Sequence, residues 1–317
     1  MNRPSEPAMP TPGSQSGNTN ARPVWPAVLS AGAYFLFWQV VRHLHTDSEG
    51  AVLLSTVASL AIVITFTAEF ARAVSSRRAI VLHIAISGAL ALPVRLILAG
   101  HPNSALVRFL MGTGIPDLLF VWFAASIGSA LSWLIRAANM IPPVAAALAL
   151  ADIWTVLLGG PVHRIMMSPN RVAQAVTRAM TVELPAPSTG AAPIQPISVV
   201  GFADFLFIAF FVAAACRYLP SPNTFARTLK GLIVVLCAYM LLVHLTGWAL
   251  PALLPMAVVM IALHWRHFHY NRSEAFALAY AAVFIALIAT GFWFMSRRSA
   301  SLHAPALPAT STRPSTL

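Results

Sequence analysis

Residues 197–219 read ISVVGFADFLFIAFFVAAACRYL, and this stretch decides what kind of protein the chain encodes. From Gly201 to Tyr218 its only charged side chains are Asp204 and, near the end, Arg217. The run is long enough for one bilayer crossing, which takes about 20 mainly apolar residues. It is continuous, not alternating, so it predicts a helix and argues against a strand of an outer-membrane barrel. Runs of the same kind occupy about 24–44, 50–72, 79–99, 115–135, 140–160, 226–247, 249–265 and 275–296. The expected fold is an all-α polytopic membrane protein with nine transmembrane helices, or ten if 104–135 divides at Gly112-Thr113-Gly114-Ile115-Pro116.

Composition agrees. The chain is 58% hydrophobic and only 9% charged, where a soluble domain carries about 25% charged residues. The net charge of +11 comes from arginines that mostly flank the apolar runs, as at Arg77-Arg78, Arg164, Arg266 and Arg297-Arg298. That placement fits topology control and contact with the lipid bilayer, and it excludes a nucleic-acid-binding patch. The positive-inside rule does not choose an orientation, because Arg164, Arg171 and Arg178 change sides with the number of passes. Residues 1–22 and 299–317 are rich in Pro, Ser, Thr or Asn and read as disordered tails. No short basic region leads directly into an apolar stretch at the start, so no cleavable signal peptide is expected. The expected location is an integral, multi-pass position in a cell membrane or another inner membrane.

Asp204 has a counterpart in Asp152, within ALALADIWTVLLGG at 147–160. With nine acidic residues in 317, two at bilayer depth are conspicuous. Each costs roughly 2.5 kcal/mol or more unless neutralised, paired or hydrated, which makes both functional hypotheses. Two carboxyls brought close in a low-dielectric site share one proton. Such a pair takes a proton from water and returns one to a leaving nitrogen. In a membrane the bond cut is a peptide bond within another protein's transmembrane segment. That helix must first unwind, and pairing it as a β-strand stabilises the unwound piece. Irregular backbone near the aspartates is then required, and Gly201, Gly159-Gly160-Pro161, Pro251 and Pro255 are candidates.

In these residues the chain resembles the presenilin and signal-peptide-peptidase group of intramembrane aspartyl proteases, more on the presenilin side. That family carries Tyr-Asp on one helix, Gly-x-Gly-Asp on the next and Pro-Ala-Leu on a later one. Here the first is Ala151-Asp152, with Gly160-Pro161-Val162-His163-Arg164 following. The second is Gly201-Phe202-Ala203-Asp204, and the third is Ala249-Leu250-Pro251-Ala252-Leu253-Leu254-Pro255. The resemblance covers about 140–265 and implies catalytic Asp152 and Asp204. It implies substrate binding or support by Gly201, Phe202, Ala203, Pro251, Ala252 and Leu253. It implies no cofactor and no metal, with transmembrane proteins as substrates. Ala151 stands where the family has Tyr, and Ala203 where it has Gly. The added methyl at Ala203 is expected to restrict the backbone and crowd a substrate strand.

The implied layout is a set of transmembrane helices over 23–139 and a presenilin-like catalytic core over 140–265. The core contains the long loop 161–196, either a functional lid or a flexible spacer. An additional C-terminal transmembrane helix lies within 266–298. Two other readings compete with proteolysis: a catalytically silent presenilin-like protein that binds membrane helices, and a proton-coupled transporter using the aspartates as a relay. Oligomeric state is not readable. Asp117, just after Pro116, reads as a helix-start acid held by the dipole, and Glu69 as a partner for Arg72 or another neighbour. His264, His267 and His269 lack a completing ligand and read, with Trp265, Phe268 and Tyr270, as an interfacial belt. Cys216 and Cys237 read as small buried residues.

Overall fold

The computed structural model describes residues 23–290 except 47, 101–103, 158–169, 186, 188–198, 220, 247–250 and scattered positions from 274 to 289. Helices α1 (Trp25–His43), α2 (Glu49–Ala73) and α3 (Arg77–Gly100) are followed by the short α4 (Ala105–Met111) and by α5 (Ile115–Leu131). After α6 (Ile141–Leu157) come α7 (Arg171–Ala179), strand β1 (Thr181–Glu183) and strand β2 (Val199–Gly201). The chain continues through α8 (Phe202–Tyr218), α9 (Thr224–Thr246) and α10 (Leu253–His264). Five helical segments are long and apolar enough to cross a membrane: Glu49–Ala73, Arg77–Leu98, Ile115–Leu134, Ala138–Val156 and Thr224–Thr246. The expected nine or ten spans therefore reduce to five that meet both criteria among the described residues. Helix α8 has 17 residues and the apolar Leu253–His267 helix is also shorter than a full crossing. The expected span 197–219 starts ahead of α8, where Val199–Gly201 is a strand. Most of 275–296 and both tails lie outside the described residues, although Phe276, Tyr280, Val283 and Leu287 are helical and exposed.

The fold is mostly helical, as expected, with one addition: β1 and β2 form an antiparallel two-stranded sheet with Val182 opposite Val200. Within the long connection 161–196 the described residues include α7 and β1. Asn170 caps α7 by accepting from the Val172 N–H at 2.9 Å.

The core is built around α8, which packs on α5 and α2. Phe205 and every residue from Ile208 to Ala215 are buried, as expected of a helix that is apolar on all faces. Buried hydroxyls on α2 are satisfied within their own helix: Ser59 donates to the Ser55 carbonyl at 2.9 Å and Thr67 to the Val63 carbonyl at 2.8 Å. At its C-terminal end α8 is fastened to the turn after α5. Arg217 lies 3.8 Å above the Trp133 ring and donates to the Ser132 hydroxyl, while the Tyr218 hydroxyl donates to the Ile135 carbonyl.

The 104–135 region resolves into a half-helix and one longer helix. The break is at Gly114, whose φ of +69° is left-handed and whose missing side chain leaves room for Trp38. A Cβ there would sit 2.7 Å from the indole. Trp38 is itself held by donating to the Gly112 carbonyl at 3.2 Å. Gly114→Ala is therefore expected to cost about 1–2 kcal/mol in backbone strain, before the indole moves, and to lower the thermal midpoint in a melt of the purified protein.

Candidate active site

Asp204 occupies the first turn of α8, three residues beyond Gly201, where β2 ends. Its Oδ2 accepts from the Gly201 N–H at 3.1 Å, the carboxylate half of a capping box. Asp152 lies one and a half turns from the end of α6, and its Oδ2 accepts from the Leu253 N–H at 2.8 Å. Leu253 is the first residue of α10, so this bond satisfies one of the four main-chain donors a helix start leaves free. The positive ends of two helices thus converge on two carboxylates. That arrangement offsets part of the desolvation cost of a charge in an apolar setting.

The two carboxylates lie within electrostatic reach of each other. They are brought together indirectly. Helix α6 packs chiefly on α10, while α8 packs on α5, α2 and α9. The α6–α10 pair is tied a second time at its far end, where Asn139 donates to the His269 carbonyl at 2.5 Å and accepts from the His269 N–H at 3.2 Å. Tyr239 of α9 lies within coulombic range of both Asp204 and Asp152. Nothing in the sequence around it, CAYMLLVH, marks that role, because only the packing of α9 against α8 and α10 creates it.

The predicted site residues fall into groups. Asp152, Ala252 and Leu253 meet at the start of α10, with Pro251 just before it. Gly201, Phe202, Ala203 and Asp204 form the β2–α8 junction. Phe202 is seated on α5, with ring centroids 4.8 Å from Phe120 and 5.8 Å from Phe123. Ala203 is helical and exposed. An L-residue fits there without backbone strain. Ala151 is likewise exposed. Gly159-Gly160-Pro161, Ala249 and Leu250 lie outside the described residues.

The sheet sets which way the main chain points. The Phe202 N–H donates to the Met180 carbonyl at 3.0 Å, which joins the two strands on their inner side. Main-chain groups alternate along a strand. The Gly201 N–H therefore points away from β1, and it does so toward Asp204. Val199, two residues earlier, shares that outer edge of β2. No further strand pairs with it among the described residues.

The remaining polar residues take structural places. Asp117 is fully buried in the first turn of α5 and pairs with Arg95 at 2.6 Å, a partner that the helix-dipole argument did not supply. Glu69 and Arg72 pair at 3.7 Å. His264 is 1% exposed and shares a 2.9 Å hydrogen bond with Thr228, so it is a core residue and not part of an interfacial belt. Trp265 is exposed. Among the described residues no group of three His, Cys, Asp or Glu side chains could hold a metal ion. Cys216 and Cys237 are half-buried and are not joined in a disulfide. A cleft of about 240 Å³ near Glu69 and Arg72 has neither aspartate in its lining.

No known protein family, curated protein or solved structure matches this chain.

Proposed function

We propose that the chain is an intramembrane aspartyl protease of presenilin type, which hydrolyses peptide bonds within transmembrane segments of other membrane proteins. The observation that carries this reading is the bond from the Leu253 N–H to Asp152. It joins the Pro251-Ala252-Leu253 run to the first aspartate across 101 residues of sequence. The second aspartate meanwhile follows directly on a strand whose outer edge faces it. In this reading an unwound substrate segment adds to β2 as a third strand, with main-chain hydrogen bonds supplying affinity. Asp152 and Asp204 share one proton. The ionised member takes a proton from water, the water oxygen attacks the scissile carbonyl, and the protonated member gives its proton to the departing nitrogen.

The test uses purified protein in vesicles with a single-span reporter in ¹⁸O-labelled water. The expected result is one ¹⁸O atom in the new carboxyl terminus, and blockage by a hydroxyl-bearing transition-state analogue. Absence of both cleavage and analogue binding sinks the proposal.

One observation favours a second reading, a catalytically silent helix-binding protein. Both aspartates accept main-chain hydrogen bonds at helix starts, which is a structural occupation in itself. Analogue binding without turnover would select that reading.

A further inference from the structure

Arg95 and Asp117 form a buried ion pair between α3 and α5, with Arg95 5% exposed and Asp117 not exposed at all. Burying two charges for fold stability alone is a poor exchange, since apolar residues of similar volume often do as well or better. Arg95 has three attachments. Its Nη2 meets Asp117 Oδ1 at 2.6 Å, and its Nη1 donates to the Thr181 carbonyl at 2.9 Å. Its guanidinium lies 4.4 Å over the Phe120 ring, the same ring that seats Phe202.

The Thr181 contact falls on a particular side of the sheet. Met180 faces β2 through its carbonyl, so alternation turns Thr181 and Glu183 to the opposite, outer edge of β1. Arg95 occupies that edge at Thr181, and Asp117 holds the guanidinium there through its Oδ1. The donor of the ion pair thus stands where a neighbouring strand would place its own main-chain N–H. Covering an edge in this way is how proteins prevent unwanted strand pairing.

We propose that Arg95 and Asp117 are positioning residues for the strand site: together they cap the outer edge of β1, leaving β2 as the docking edge, and fix the register of β2 relative to Asp204. The role rests on the protease reading for its purpose, but the capping of β1 stands apart from it. Arg95 acts at both ends of the sheet–helix junction. It holds β1 through Thr181, and through Phe120 it holds Phe202, two residues from Asp204.

Two double variants of the full chain test this. Arg95→Met with Asp117→Leu removes the charges and the cap while keeping the volume. Arg95→Asp with Asp117→Arg keeps an ion pair but puts an acceptor opposite the Thr181 carbonyl. In the apolar variant, amide exchange over 180–184 is expected to rise about tenfold. Reporter KM is expected to rise about tenfold with a smaller change in kcat, and cleavage is expected to spread to neighbouring bonds by mass spectrometry. The exchanged pair is expected to melt near the parent temperature yet show the same spread. Parent-like exchange and a single cleavage position in the apolar variant overturn the proposal, as does full recovery of both by the exchanged pair. If either double variant fails to fold, Arg95→Lys decides by the same readouts, because it keeps the charge for Asp117 and loses the two-armed fork. If the parent cleaves nothing, the protease reading has failed and the exchange data alone decide: unchanged protection of 180–184 overturns the cap, and faster exchange supports it.

Discussion

Asp152→Asn and Asp204→Asn are each expected to reduce reporter cleavage by at least about 10³-fold, with little change in thermal stability. The two halves of this expectation have different causes. Asparagine caps a helix start nearly as well as aspartate, because its side-chain oxygen still accepts from a main-chain N–H. The bonds from Leu253 and Gly201 therefore persist in altered form. What is lost is a group that ionises, so no shared proton remains to be taken from water and returned to nitrogen. The alanine variants separate the roles. Asp152→Ala leaves the Leu253 N–H without its acceptor and is expected to cost about 0.5–2 kcal/mol in addition to activity. Circular dichroism melts and cleavage assays on the four proteins check this. Retained cleavage in either asparagine variant sinks the dyad. An alanine-specific loss of stability in a parent that never cleaves selects the silent reading.

Gly128→Leu is expected to disrupt the fold at the site and abolish activity from a position that touches no substrate. Gly128 lies on α5 where it crosses α8. A Cβ at this position would fall 2.0 Å from the Leu206 carbonyl oxygen and 3.0 Å from the Ala209 Cβ. The obstacle is main chain, so no side-chain rotation relieves it. Close backbone approach through small residues is how apolar helices associate where lipid competes for their surfaces. Overpacking of a well-filled core costs about 1–3 kcal/mol, and more where backbone must move. Leu206 is only two residues past Asp204, so any outward shift of α8 moves the carboxylate from its partners. Gly128→Ala is expected to show a milder form of the same loss. Cleavage at the parent rate by Gly128→Leu would mean that the α5–α8 crossing does not position Asp204.

The helical character and the apolar helices compatible with a membrane protein were legible because hydrocarbon is an unforgiving solvent. A spanning helix must be apolar over its whole length, so composition and run length reveal it. The half-helix before α5 was legible for a related reason: Gly112-Thr113-Gly114-Ile115-Pro116 breaks an apolar run, and only glycine takes the left-handed turn against Trp38. Asp152 and Asp204 stood out because acids within long apolar runs are rare and costly to bury. Helix lengths were overestimated, as at α8, because apolar residues continue past its ends into β2 and the turn to α9.

The small sheet was out of reach from sequence. Its strands have three residues each and pair across the connection, so neither carries a periodic signal. Arg95 was equally unmarked, as one arginine in an apolar run.

The sequence by itself determined a helical chain with apolar runs of membrane-spanning length, two acids within them and a Pro-Ala-Leu run after them, because burial cost and helix-breaking chemistry act residue by residue. The tertiary structure alone decided that Asp152 reaches Leu253, that Asp204 faces the edge of β2, and that Arg95 closes the edge of β1. Those relations depend on which helices pack together and how far they approach. That is set by close contacts such as Gly128 on Leu206, between residues distant in the chain.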